Sequence, residues 1–269
     1  MTKLYDQLYD ALLINDVDEK CSSVRELYNR FCNNELNLQW SQKAKTILTP
    51  GLPLNLKMVP PRKLERRGIQ SQTGRNSLMH AIAHIEFNAI NLALDAAYRF
   101  RDLPREYTAD WIKIAHDEAK HFALIRTYLN NNHCDYGDYP VHNGLWQTAV
   151  DTAHDVVARM ALVPRVLEAR GLDVTPAMIK RLKRVQDNSA VDILETIYQD
   201  EISHVEKGSY WFKYVCGLEK LEPKTTFLKM IDRYLHGGLK GPFNDSARLA
   251  AGFDQMELDQ LNGVSRDLA

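Results

Sequence analysis

Cysteine is scarce in this chain and never doubled. Four occur among 269 residues, Cys21, Cys32, Cys134 and Cys216, and no two stand in a C-x-x-C pair. That spacing excludes a zinc ribbon and a rubredoxin-type iron site; reduced, structural thiols are the plain reading. Long apolar runs are missing as well. No stretch of about 18 apolar residues exists, so no membrane-spanning helix is expected. The opening MTKLYDQLYDALLINDVDEK lacks the apolar core and cleavage site of a secretory signal. A net charge of −1 supplies no global pull toward nucleic acid or a membrane surface. A Gly-rich dinucleotide fingerprint is absent, so any redox chemistry would need an external electron donor. With 45% hydrophobic and 26% charged residues the composition is that of an ordinary globular chain. The expectation is a soluble, cytoplasmic protein.

What is present is helical periodicity, with few β signals. Residues 3–14 and about 20–33 read as short amphipathic helices. Segment 49–75 has four prolines and no clear period, and carries Lys57, Arg62, Lys63, Arg66, Arg67 and Arg75. It reads as an irregular connection. Four long helices are predicted next. The first covers about 76–100. The second runs from near Pro104 to about 131. The third begins after Asn143, a good N-cap, and reaches about Gly171. The fourth starts at Thr175-Pro176, extends to about 216 with a bend or break near Asn188-Ser189, and ends at Gly217. A further helix over about 223–235 stops at Gly237-Gly238, and short helices fill the tail. The predicted fold is all-α: a four-helix bundle over residues 76–217, an N-terminal helical extension over 1–75 and a C-terminal helical tail over 218–269.

Two copies of Asp-Glu-x-x-His stand out, DEAKH at 117–121 and DEISH at 200–204. On a helix, residues i and i+3 share a face, so Glu118 points with His121 and Glu201 with His204. Their helical neighbours are apolar: Trp111, Ile114, Phe122 and Ile125 in one case, Leu194, Ile197, Val205 and Phe212 in the other. Both pairs therefore face a core, where an uncompensated carboxylate is costly. A cation is the best compensation. Two further acids complete the pattern. Glu86 shares a face with Met79, Ile82, Ala83 and Ile90, and Glu168 shares one with Val157, Ala161 and Pro164. Glu201 follows Glu118 by 83 positions, His204 follows His121 by 83, and Glu168 follows Glu86 by 82. Two helical hairpins repeat one design, as the two halves of a dinuclear site would. Asp117 and Asp200 are placed to orient the histidines, Asp117 toward His204 and Asp200 toward His121, since a ligating imidazole usually donates its other N–H to a carboxylate. Tyr198, one turn before Glu201, is a candidate for the same outer layer. Pro164 should disturb the third helix one turn before Glu168.

The set Glu86, DEAKH, Glu168, DEISH resembles the ferritin-like superfamily of dimetal carboxylate proteins. The whole chain, including the tail HGGLKGPFNDSARLAAGF, resembles the bacterial ferritin-like family called domain of unknown function 455. The resemblance implies a ferritin-like bundle with Glu86, Glu118, His121, Glu168, Glu201 and His204 as metal ligands and catalytic residues.

Four carboxylates and two imidazoles suit iron best, with manganese or a mixed Fe/Mn pair as alternatives. Such a pair of ions activates O2 or peroxide. The leading expectation is an oxygenase or hydroxylase of an unknown small organic substrate. A manganese catalase-like or iron-handling, peroxide-scavenging protein is the first alternative. A tRNA-modifying hydroxylase, suggested by the basic stretches at 62–67 and 180–184, is the second; nucleic acid is otherwise a disfavoured partner. Metals that merely hold the bundle together are the non-enzymatic reading. His80 and His84 share a face at i, i+4 but miss the Glu86 stripe, so they read as polar-face or outer-layer residues. His116 turns away from Glu118.

Overall fold

The structure, a computed structural model, describes residues 2–65, 67–235 and 238–263. Arg66 of the basic stretch and Gly237 of the expected helix stop lie outside them. The fold is an all-α helical bundle, in which the described residues form almost no strand. One two-residue parallel pair, β1 (Thr2–Lys3) with β2 (Leu36–Asn37), is the exception. No helix among the described residues is long and apolar enough to cross a membrane. Two compact units are present. The first runs to Asp151 and takes in Leu182–Ile193; the second holds Thr152–Arg181 and the chain from Leu194.

In the first unit, α1 (Leu4–Leu13) and α2 (Val17–Cys32) flank a long hairpin of α3 (Gln72–Arg99) and α4 (Arg105–Asn131). Asp16 starts α2 by accepting from Asp18 N and Glu19 N at 3.0 and 2.9 Å, and Ser71 starts α3 by accepting from Gly74 N at 3.1 Å. The hairpin is antiparallel: Gln72 reaches Tyr128 at one end, and Glu86 faces His121 further along. α3 is buried on nearly every side, not along one stripe. Its buried polar residues must therefore be satisfied inside the protein. Asn76 donates to Asn132 O at 3.0 Å, and Asn91 Oδ1 accepts from Lys20 Nζ at 2.5 Å. Lys20 is itself fully buried, also donating to Leu12 O at 3.1 Å, and burial pulls its pKa down to about 7. Arg75 pairs with Asp187 at 2.9 Å.

His80 and His84 correct the expectation of a polar face. Both are buried, and they anchor the loop after α4. His80 Nε2 accepts from Gly137 N at 2.8 Å; His84 Nδ1 faces the Tyr136 hydroxyl at 2.7 Å and Nε2 the His142 carbonyl at 2.9 Å. Burial lowers the pKa of each to about 4. His116, as expected, turns outward and stacks on Tyr28 with ring centroids 4.5 Å apart.

The predicted third and fourth helices are redrawn. A helix does start after Asn143, as α5 (Gly144–Asp151), but it stops at once. Asp155 opens a new helix, α6 (Val156–Leu162), by accepting from Val157 N and Ala158 N at 2.8 and 3.1 Å. A π-helical segment, Val163–Glu168, follows and leads into α7 (Ala169–Arg184). Thr175-Pro176 does not begin a helix; Pro176 lies inside α7. The turn comes later. Gln186 takes a left-handed φ of 58°, and Asp187 accepts from Ala190 N at 3.2 Å to open α8 (Asn188–Leu218), at the break expected near Asn188. The second unit is completed by α9 (Pro223–Tyr234), α10 (Asp245–Ala250) and α11 (Gln255–Leu261) around Phe212, Phe227, Phe253 and Leu258.

Two neutral, buried histidines tie stability to acid. The unfolded chain protonates them near pH 6.5, the folded chain only near 4, so their contribution is complete above pH 6.5 and is lost as the pH falls toward 4. Denaturant unfolding between pH 6.5 and 4 should show stability falling by up to about 1.4 kcal/mol per pH unit for each histidine. His80→Gln should flatten that slope.

Candidate metal centre

The hairpin of α3 and α4 brings three of the sequence-predicted residues together. Glu86, Glu118 and His121 are 5%, 0% and 0% exposed. His121 Nδ1 lies 3.2 Å from Glu86 Oε2 and 3.3 Å from Glu118 Oε2, and each residue offers a ligand atom within 4.8 Å of the others. The geometry follows from local structure. Helical spacing places Glu118 over His121, and the antiparallel partner helix supplies Glu86. Phe87 and Phe122, next in sequence to two of these residues, pack against each other at 5.0 Å between ring centroids, and Phe122 meets Tyr136 edge-on at 5.2 Å. These rings belong to the same hairpin and the loop that follows it.

Burial alone would depress the His121 pKa. Hydrogen bonds and charge from Glu118 and Glu86 outweigh it and push the pKa up to about 11. The imidazole is thus held as a cation by two acids. Two carboxylates and an imidazole are the donor types that hard and borderline metals prefer. The residues fit a metal.

The other predicted residues lie in the second unit, except Asp117. Glu201 and His204 sit one turn apart on α8, with His204 Nδ1 3.6 Å from Glu201 Oε1; their side chains are 12% and 2% exposed. Glu168, half-buried, ends the π-helical segment. The disturbance expected from Pro164 is real and takes this form: without an N–H, proline cannot continue the i→i−4 ladder, and the segment adopts the wider π spacing. α8 accommodates the widened turn through Gly208, where any Cβ would stand 2.1 Å from Pro164 Cβ. Tyr198 is tied by its hydroxyl to Asn244 Nδ2 at 3.1 Å. Asp117 takes a local partner, Lys113 Nζ, at 2.6 Å.

Sequence reasoning missed a second layer. Arg165 is fully buried and bound to the buried Glu257; Arg248 is buried and bound to Asp173. The available signal was a lone arginine inside the apolar run MALVPRVLEA.

Fold and cluster together define a helical protein with a buried carboxylate–imidazole group able to hold a metal ion. The chain belongs to the family described as "Protein of unknown function (DUF455)", which matches residues 13–259. It is similar to an "Uncharacterized protein" of Haemophilus influenzae, 37% identical over 278 residues that cover 100% of this chain and 96% of the relative. No solved structure gives a significant match.

Gly208→Ala should force α8 away from Pro164 and destabilise the protein by roughly 1–3 kcal/mol in denaturant unfolding. Gly171 has open space around its Cβ position. Gly171→Ala should instead stabilise by about 0.5–1 kcal/mol, the usual gain within a helix.

Proposed function

We propose that this protein is a dinuclear-metal oxidoreductase of ferritin-like type, using two iron ions to activate O2 or peroxide against a small organic substrate. The observation that carries the reading is the buried Glu86–Glu118–His121 cluster. The matched spacing of Glu168, Glu201 and His204 with Glu86, Glu118 and His121 supports a second, equivalent half. In this proposal Glu86, Glu118, His121, Glu168, Glu201 and His204 would hold the two ions, and Asp117 and Asp200 would orient the imidazoles. When bound, the metals supply the redox chemistry; an external donor supplies electrons.

The chain's own residues do the rest. Four carboxylates balance the charge of two divalent ions. His121 must release its proton before it can ligate, so metal uptake is coupled to proton release.

Anaerobic Fe(II) titration should give two ions per chain, with an oxidised-iron absorbance on admitting O2. Glu118→Ala should weaken binding about 100-fold or more. Because the metal-free His121 holds its proton to about pH 11, apparent affinity should rise as the pH increases from 6.5 to 8, by about tenfold per unit for each proton released. Protein that takes up no iron or manganese at any of these pH values would end this reading. Manganese in the purified protein, together with rapid peroxide consumption, would move the assignment to a catalase-like activity.

A further inference from the structure

The helical run that carries Glu168 is irregular twice, and one C-terminal stretch meets both irregularities. The first is the π segment at Val163–Glu168. Arg165, in its middle, is fully buried with its guanidinium 4.8, 4.2 and 4.3 Å from the ring centroids of Phe212, Phe227 and Phe253. Its Nη2 donates to both oxygens of Glu257 at 2.8 Å. Nε and Nη1 have no hydrogen-bond acceptor among the described residues; the aromatic faces stand in as weak acceptors. Glu257 also belongs to the capping box of α11, accepting from Asp254 N at 2.9 Å. The charge at the heart of the π turn is thus answered by the first turn of the last helix.

The second irregularity is Pro176. Its missing N–H frees the Leu172 carbonyl four residues earlier. Asn244 Nδ2 donates to that carbonyl at 3.1 Å, and Asn244 N donates to Asp173 Oδ1 at 2.9 Å. Arg248 adds a bidentate pair to the same Asp173, at 2.9 and 2.8 Å. The side chains of Asp173 and Arg248 are 0% and 1% exposed.

A π turn holds one residue more than the α turn it interrupts. Relaxing it to α geometry shifts the register by one residue and rotates Glu168 by about 100° around the helix axis. Such a shift would also pull Arg165 out of its aromatic box and away from Glu257, stranding a buried charge. We propose that residues 244–262 form a clamp that fixes the register of the π segment. Arg165, Glu257 and Asn244 are positioning residues: they set where Glu168 points, and so how tightly the metal position served by Glu168 is held. The metal part of this inference rests on the function proposed above; the register part does not.

The full-length chain carrying Arg165→Met with Glu257→Leu removes both charges at once, so neither is stranded. Asn244→Ala is a milder second variant that leaves that pair intact. Two measurements apply to each: Co(II) titration followed by d–d absorbance, and backbone hydrogen exchange over residues 163–172 against residues 86–121. The expected result is unchanged binding of the first Co(II), a second Co(II) weakened about tenfold or more, and exchange accelerated at 163–172 alone. Wild-type binding of both ions, with only a lowered melting temperature, would overturn the positioning role. Should the wild-type chain bind no Co(II), the metal-centre reading fails. Exchange then still decides the clamp: selective acceleration at 163–172 supports it and unchanged exchange there overturns it.

Discussion

Two carboxylates, Glu86 and Glu118, are buried beside the His121 imidazole. Water would solvate these charges far better than hydrocarbon does, so the hairpin of α3 and α4 folds against a standing electrostatic cost. Protonated His121 offsets part of it, which is why its pKa climbs despite burial. Much of the surrounding structure follows from the same constraint. Phe87, Phe122 and Tyr136 pack against one another, and α3 is enclosed on nearly every side.

Enclosure of α3 has a second consequence. A helix buried all round has no polar face to spend, yet α3 carries Asn76, His80, His84, Asn88, Asn91 and Asp95 inside. Each is met by a partner, and several partners come from outside the hairpin: Lys20 from α2, Tyr136 and His142 from the loop after α4. The N-terminal helices and that loop are thus bound to the same helix that presents Glu86. Buried hydrogen bonds of this kind add little net energy when made and cost much when lost, so they specify one arrangement more than they stabilise it.

In the second unit, backbone irregularity takes the place of buried polar groups. Two prolines, Pro164 and Pro176, interrupt a helical run that nevertheless continues through both. Gly208 gives the first proline room, and Asn244 satisfies the carbonyl freed by the second. Irregular helices persist only where neighbours over-determine them, and Arg165, Asp173, Arg248 and Glu257 provide that over-determination with buried, charge-assisted hydrogen bonds.

The all-α class, the α3–α4 hairpin, and the convergence of Glu86, Glu118 and His121 were legible from the chain alone. Helical spacing decides which side chains share a face, and the apolar neighbours of Glu118 and His121 show that face to be buried. Pro164 announced a distortion, though not its π form. Other features depended on groups far away in sequence. Nothing near Pro176 shows that Asn244 will rescue the helix there, so Thr175-Pro176 read as a helix start. The polar-face reading of His80 and His84 failed because the loop that buries them begins some 50 positions later. Local periodicity therefore determined the elements and the first half of the candidate site. Tertiary structure decided the path from Asn143 to Asn188 and the burial of Lys20, Arg165 and Arg248, because a polar or proline residue can sit inside a protein only where a distant partner completes its hydrogen bonds.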